Sequence, residues 1–153
     1  MTNNIFIYTI RTVLLFVLSF FLIFTGVKDI KYKKISDKDI LYICITGIIL
    51  RVYSLKIDII SIIGGFITIS IFLIAAVLIA PGSFGGGDIK LLSSASLFLG
   101  MNIWNVFVIA VFSSFPFVVS IVITGKRVRH FPFGPYICLG IFIQTLFFLY
   151  GLT

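Results

Sequence analysis

The sequence predicts an all-α polytopic membrane protein with six transmembrane helices, some of them short. Two observations carry this. Of 153 residues, 60% are hydrophobic and only 11% charged, against about 25% charged in ordinary soluble domains. The apolar residues also fall into six runs, separated by charges or Gly/Pro clusters. Six spans of about 20 residues use about 120 and leave roughly 33 for connections. No room remains for a folded extramembrane unit of even about 50 residues, so residues 1–153 are read as a single membrane domain.

The first run, 8–27, is longer than a signal-peptide core. It has only Arg11 as a basic start and ends in Lys28-Asp29 rather than at a small-residue cleavage site, so it is expected to stay in the membrane. The second run, 39–54, is short, and the third, 57–80, is long enough to span. The fourth, 89–100, would reach only about 18 Å and cannot cross a core of about 30 Å. Its ends must therefore lie at or inside the membrane surface. The fifth and sixth runs are 103–124 and 135–152, with Trp104 and Tyr150 placed at the outer interface. No internal repeat or linker divides the chain.

A net charge of +7 would suggest nucleic acid in a soluble protein. Here it reports orientation, and no nucleic-acid partner is expected. Alternating the connections places Lys28, Lys31, Lys33, Lys34, Lys38, Lys90, Lys126, Arg127 and Arg129 on one side, and Arg11, Arg51 and Lys56 on the other. The positive-inside rule makes the first side cytoplasmic, with loops 28–38, 81–90 and 125–134 there and both termini outside. Cys44 and Cys138 lie in separate apolar runs without metal spacing, so neither a disulfide framework nor a zinc site is expected, and both read as small buried hydrophobes. The two-carboxylate chemistry to which the acids of this chain point needs neither metal nor cofactor.

The chain contains no Glu, and its acids are Asp29, Asp37, Asp39, Asp58 and Asp88. Asp37, Asp39 and Asp58 read as residues of polar loops. Asp29, where the first span reaches the cytoplasm, and Asp88, where the fourth begins, fall at similar depth on one side. Ionisable groups at such positions point to function, although a solvated cap is the competing reading for each. Three glycines, Gly85 to Gly87, directly precede Asp88. They are expected to form a loop with unusual dihedrals that brings Asp88 against a second carboxylate. A phosphate loop would need Lys followed by Ser or Thr after the glycines, which Gly87-Asp88 does not supply. Two carboxylates in contact share a proton, so one can act as base on water while the other polarises a carbonyl. From the helix ends alone, Asp29 is expected to hold that proton.

Three blocks resemble the type IV prepilin peptidase family, the intramembrane aspartic proteases with a Gly-x-Gly-Asp motif. Residues 29–37, Asp-Ile-Lys-Tyr-Lys-Lys-Ile-Ser-Asp, are similar to the family's first catalytic Asp with its basic stretch, Ser36 and Asp37 replacing a Pro-Asn pair. Residues 85–92, Gly-Gly-Gly-Asp-Ile-Lys-Leu-Leu, resemble the motif bearing the second catalytic Asp. Residues 131–136, Phe-Pro-Phe-Gly-Pro-Tyr, are similar to the segment opening the family's last span. The resemblance implies catalytic Asp29 and Asp88, supported by Gly85, Gly87, Lys90, Gly134 and Pro135, in active-site loops on the cytoplasmic face. It implies removal of the short basic leader from prepilin-like partners in the plasma membrane of a bacterium or archaeon, in the service of pili or protein secretion. Nothing matches the cysteine-bearing segment of methylating members, so methyltransferase activity is not implied.

The remaining polar residues have plainer readings. Pro132 and Pro135 punctuate a helix start, Lys90 either holds the Asp88 carboxylate or sets topology, and His130 is interfacial. Ser93, Ser94 and Ser96 are close-packing positions. The competing functions are a small cation-coupled transporter or channel subunit with Asp29 and Asp88 as ligands, and a noncatalytic scaffold of a pilus or secretion assembly.

Overall fold

The computed structural model describes residues 2–54, 58–80, 84–124 and 132–150. Regular structure among them is entirely helical: α1 (Thr2–Tyr32), α2 (Asp37–Ser54), α3 (Ile59–Ile79), α4 (Gly86–Leu99), a 3₁₀ turn (Gly100–Asn102), α5 (Ile103–Thr124) and α6 (Gly134–Tyr150). Three stretches are long and apolar enough to cross a membrane: Phe6–Tyr32, Ile59–Ile79 and Gly86–Ile121, the last running through α4, the turn and α5. Gly134–Leu149 is a shorter apolar helix.

The helices occupy the six expected runs, but two boundaries move. The segment 28–38 is not one loop. α1 continues to Tyr32, and α2 begins at Asp37, leaving four residues between them. Helix hydrogen bonding in α1 therefore persists beyond the apolar run, and α1 ends where Lys33, at φ 51°, donates its N–H to the Asp29 carbonyl at 2.8 Å. The glycine run is not a loop either. Gly86 and Gly87 are the first residues of α4, and Gly85 before them is extended at φ −73°. Among the described glycines only Gly100 has a positive φ, 63°, so the run does not serve unusual dihedrals.

α1 and α2 run antiparallel, as do α3 and α4, where Ser70 meets Ser93 and Ser61 meets Met101. Lys28 meets Asp39 at one end of the α1–α2 pair, whereas Arg11 donates to the Tyr53 carbonyl at 3.0 and 2.7 Å toward the other. Asp58, expected in a polar loop, is the N-cap of α3 and accepts from the amides of Ile60 and Ser61 at 3.1 and 3.3 Å. Its two amide bonds occupy donors that α3 itself leaves unsatisfied.

Helix α4 is the hub. At 14 residues it measures about 21 Å, and α2, α3, α5 and α6 all pack against it. Leu91, Leu92, Ala95, Phe98 and Leu99 on it are buried. Because lipid is as apolar as these side chains, close packing rather than water exclusion holds such a bundle. Glycines supply the closeness. A Cβ on Gly47 of α2 would strike the Phe98 ring, one on Gly65 of α3 would strike the Gly100 carbonyl, and one on Gly140 of α6 would lie 2.7 Å from the Val106 oxygen of α5. The far end of α4 is tied down by Arg51, buried on α2, which donates to the Phe98 carbonyl at 2.6 Å. Ser93 reaches Ser70 of α3 at 2.9 Å, while Ser94 and Ser96 bond to the carbonyls of Leu91 and Ser93. Trp104 donates to Thr68 at 3.3 Å and meets Phe72 edge-on.

Candidate active site

Four helices bring the site together at one end of the bundle. The last turn of α1 supplies Asp29, the first turn of α4 supplies Asp88, the start of α6 supplies Gly134, and the first turn of α2 lies alongside. Asp29 and Asp88 are 6% and 8% exposed. Ile35 packs against Gly87, next to Asp88, and against Gly134, whose amide meets Asp29, so the two acids chosen from the sequence come to the same end of the bundle although 59 positions separate them in the chain.

Each carboxylate is held by one backbone amide. Gly134 N–H donates to Oδ2 of Asp29 at 3.1 Å, and Gly85 N–H donates to Oδ2 of Asp88 at 3.3 Å. Both amides belong to helix starts, whose N–H groups lack intrahelical partners and favour an anion. The ground for expecting Asp29 to hold the proton is removed by the Gly134 contact. That expectation rested on Asp29 lying at the end of α1, but its carboxylate meets the N-terminal amide of α6, so the contrast with Asp88 disappears.

The five acids separate cleanly. Asp58 caps α3, Asp39 pairs with Lys28 at 3.0 Å, and Asp37 pairs with Lys90 at 2.8 Å. Asp37 and Asp39 stand in the first turn of α2 and Asp39 is only 5% exposed, so neither has the loop setting read from the sequence. Among the described residues, Asp29 and Asp88 take part in no ion pair. Lys90 is not on Asp88, because it projects from the exposed side of α4 toward Asp37.

The glycines leave space. A Cβ on Gly134 would lie 2.6 Å from Oδ2 of Asp29, and one on Gly87 would lie 3.0 Å from Cβ of Ile35. One on Gly85 would lie 3.1 Å from Oδ2 of Asp88, whereas one on Gly86 would meet nothing within 4 Å. Ile35, in the short link between α1 and α2, thus wedges against both Gly87 and Gly134. Sequence reasoning gave Ile35 no role of its own, and its only signal was its position within the first block. Phe84 and Phe133 flank the site, their rings edge-on at 5.7 Å. Pro135 stands in the first turn of α6, where its missing N–H costs nothing. Pro81 to Ser83 and the loop part 125–131, with Lys126, Arg127, Arg129 and His130, lie outside the described residues, as does Lys56.

Beside Asp29 runs a cavity of about 400 Å³ between α1 and α6, apolar over nearly all its surface, with Gly26, Val27, Ile30, Pro135, Cys138 and Phe142 among its walls. The site thus combines two buried carboxyl groups with a nearby apolar cavity. No group of three or more metal-ligating side chains occurs among the described residues.

The profile of the type IV leader peptidase family matches residues 16–124, which include Asp29, the glycine run and Asp88. The chain belongs to that family, and it is a protease of the leader-peptidase type. Comparison with curated proteins and with solved structures gives no match.

Proposed function

We propose that the chain is an intramembrane aspartic endopeptidase that removes the short basic leader of type IV prepilin-like proteins at the cytoplasmic face, with Asp29 and Asp88 as its catalytic dyad. The observation that carries this reading is that these two acids are buried at one end of the bundle and, among the described residues, take part in no ion pair, while the other three are capped or paired. In the mechanism, the ionised carboxylate of the pair takes a proton from water as the water oxygen attacks the scissile carbonyl carbon. The protonated partner donates to the carbonyl oxygen, giving a tetrahedral diol. One carboxyl group then protonates the leaving nitrogen as the C–N bond breaks, while the other carboxylate takes the proton of a diol hydroxyl as the new carboxyl group forms, which restores the single shared proton. Gly134 and Gly85 hold the two carboxylates through their amides, and Gly87 lets Ile35 close under them.

The proposal takes α1 to α6 as six alternating spans in one membrane domain, with the Asp29 end cytoplasmic and both termini outside. Lys28, Lys31, Lys33, Lys34, Lys38 and Lys90 near that end support this orientation. The apolar cavity between α1 and α6 offers a contact for side chains of the hydrophobic segment that follows a leader. A transporter reading places its acids near the midplane, and Asp29 and Asp88 lie instead in terminal turns of α1 and α4.

The test is to purify the chain, reconstitute it in lipid and incubate it with a prepilin-like substrate, reading the product by mass and N-terminal sequencing. A single new N-terminus just before the hydrophobic segment is expected. An intact substrate after prolonged incubation with folded protein would refute the proposal.

A further inference from the structure

The two lysines beside the dyad are both engaged by one short stretch of α2. Lys28 precedes Asp29 in sequence, yet its ammonium turns away from the site and is held by both carboxylate oxygens of Asp39, at 3.1 and 3.0 Å, and by the Phe24 ring at 4.2 Å. Lys90, two residues after Asp88, reaches Asp37 at 2.8 Å. The first turn of α2 is thereby bonded on one side to α1 at the residue before Asp29 and on the other to α4 two residues after Asp88. The link between α1 and α2 adds Ile35, packed against Gly87 and Gly134.

We propose that the first turn of α2 is a clamp that sets the separation of the dyad, with Asp39 as the principal positioning residue and Asp37 as the lesser one. The inference rests on the proposed dyad and names what holds it together. The unequal weight follows from burial. The Asp39 side chain is 8% exposed and contacts Lys28 with both oxygens, whereas the Lys90 and Asp37 side chains are 61% and 77% exposed. Exposed pairs contribute little because water screens them. The Lys28 side chain is 33% exposed, so loss of Asp39 leaves its charge only partly screened by water. Misplacing a reacting group by about 1 Å costs about a hundredfold in rate, so a loosened clamp acts on turnover more than on substrate binding.

The test measures kcat and KM for leader removal by the reconstituted chain and its variants, with thermal stability recorded for each. Asp39→Asn is expected to lower kcat about tenfold or more with KM changed by less than about twofold. Asp39→Glu, and the exchange Lys28→Asp with Asp39→Lys, are expected to recover most of the loss. Asp37→Asn is expected to cost about twofold. An Asp39→Asn chain with wild-type kcat, or an exchanged chain no better than the single variant, whether through misfolding or inactivity, would overturn the clamp. Either result leaves wild-type cleavage intact, which separates failure of the clamp from failure of the proposed activity.

Discussion

A methyl group at Gly134 would press on the oxygen of Asp29 that the Gly134 amide holds, whereas a methyl group at Gly86 would enter open space. Gly134→Ala is therefore expected to lower the cleavage rate at least about tenfold by displacing the carboxylate, and Gly86→Ala to leave it near wild type. Gly87→Val is expected to behave like the former, because its side chain would drive into Ile35. Initial rates at matched amounts of folded protein check all three. Equal loss at Gly86 and Gly87 would contradict the steric account. At this scale the sequence exposed the two acids and the glycine that carries the amide. It did not show why the glycines matter, because an unbroken glycine run reads as a loop, whereas Gly86 and Gly87 here begin a helix. Asp39 was also illegible, since its significance comes from the direction taken by Lys28, which adjacency in sequence cannot show.

Among the elements, α4 depends most on its neighbours. A helix of 14 residues cannot span the hydrocarbon alone, and its last carbonyls need donors that lipid does not provide. Arg51 supplies one to Phe98. Arg51→Leu is expected to destabilise the protein by about 1–3 kcal/mol, the cost of leaving a buried acceptor unmade, and to lower the melting temperature in detergent. Unchanged melting would show that the carbonyl finds another donor. The apolar runs located all six helices because helix ends in a membrane protein follow the loss of apolar residues. The exceptions are the ends where polar residues stay helical. α1 runs on through Lys28 to Tyr32, and α2 starts with Asp37 and Asp39 in its first turn, because Lys28 pairs with Asp39 between these helices and Asp37 pairs with Lys90 of α4. Long-range pairing of that kind leaves no periodic trace in the sequence.

For the whole molecule, the proposed topology places the Asp29 end of the bundle in the cytoplasm and the Asp58 end outside. A single cysteine at Lys34, introduced with Cys44 and Cys138 replaced by Ala, is expected to react with a membrane-impermeant thiol reagent in inverted vesicles only. One at Asp58 is expected to react in right-side-out vesicles only. The reverse pattern would place the dyad on the wrong side for a cytoplasmic leader. The proposed activity requires Asp29 and Asp88 to act together, and the most direct measurement is the initial rate of leader removal by Asp29→Asn, Asp88→Asn and Asp58→Asn at equal amounts of folded protein. The first two should each fall by about a thousandfold or more, because either removes the base or the acid of the pair, while Asp58→Asn, which alters only a helix cap, should retain most of the activity. An active Asp29→Asn or Asp88→Asn variant would contradict the dyad.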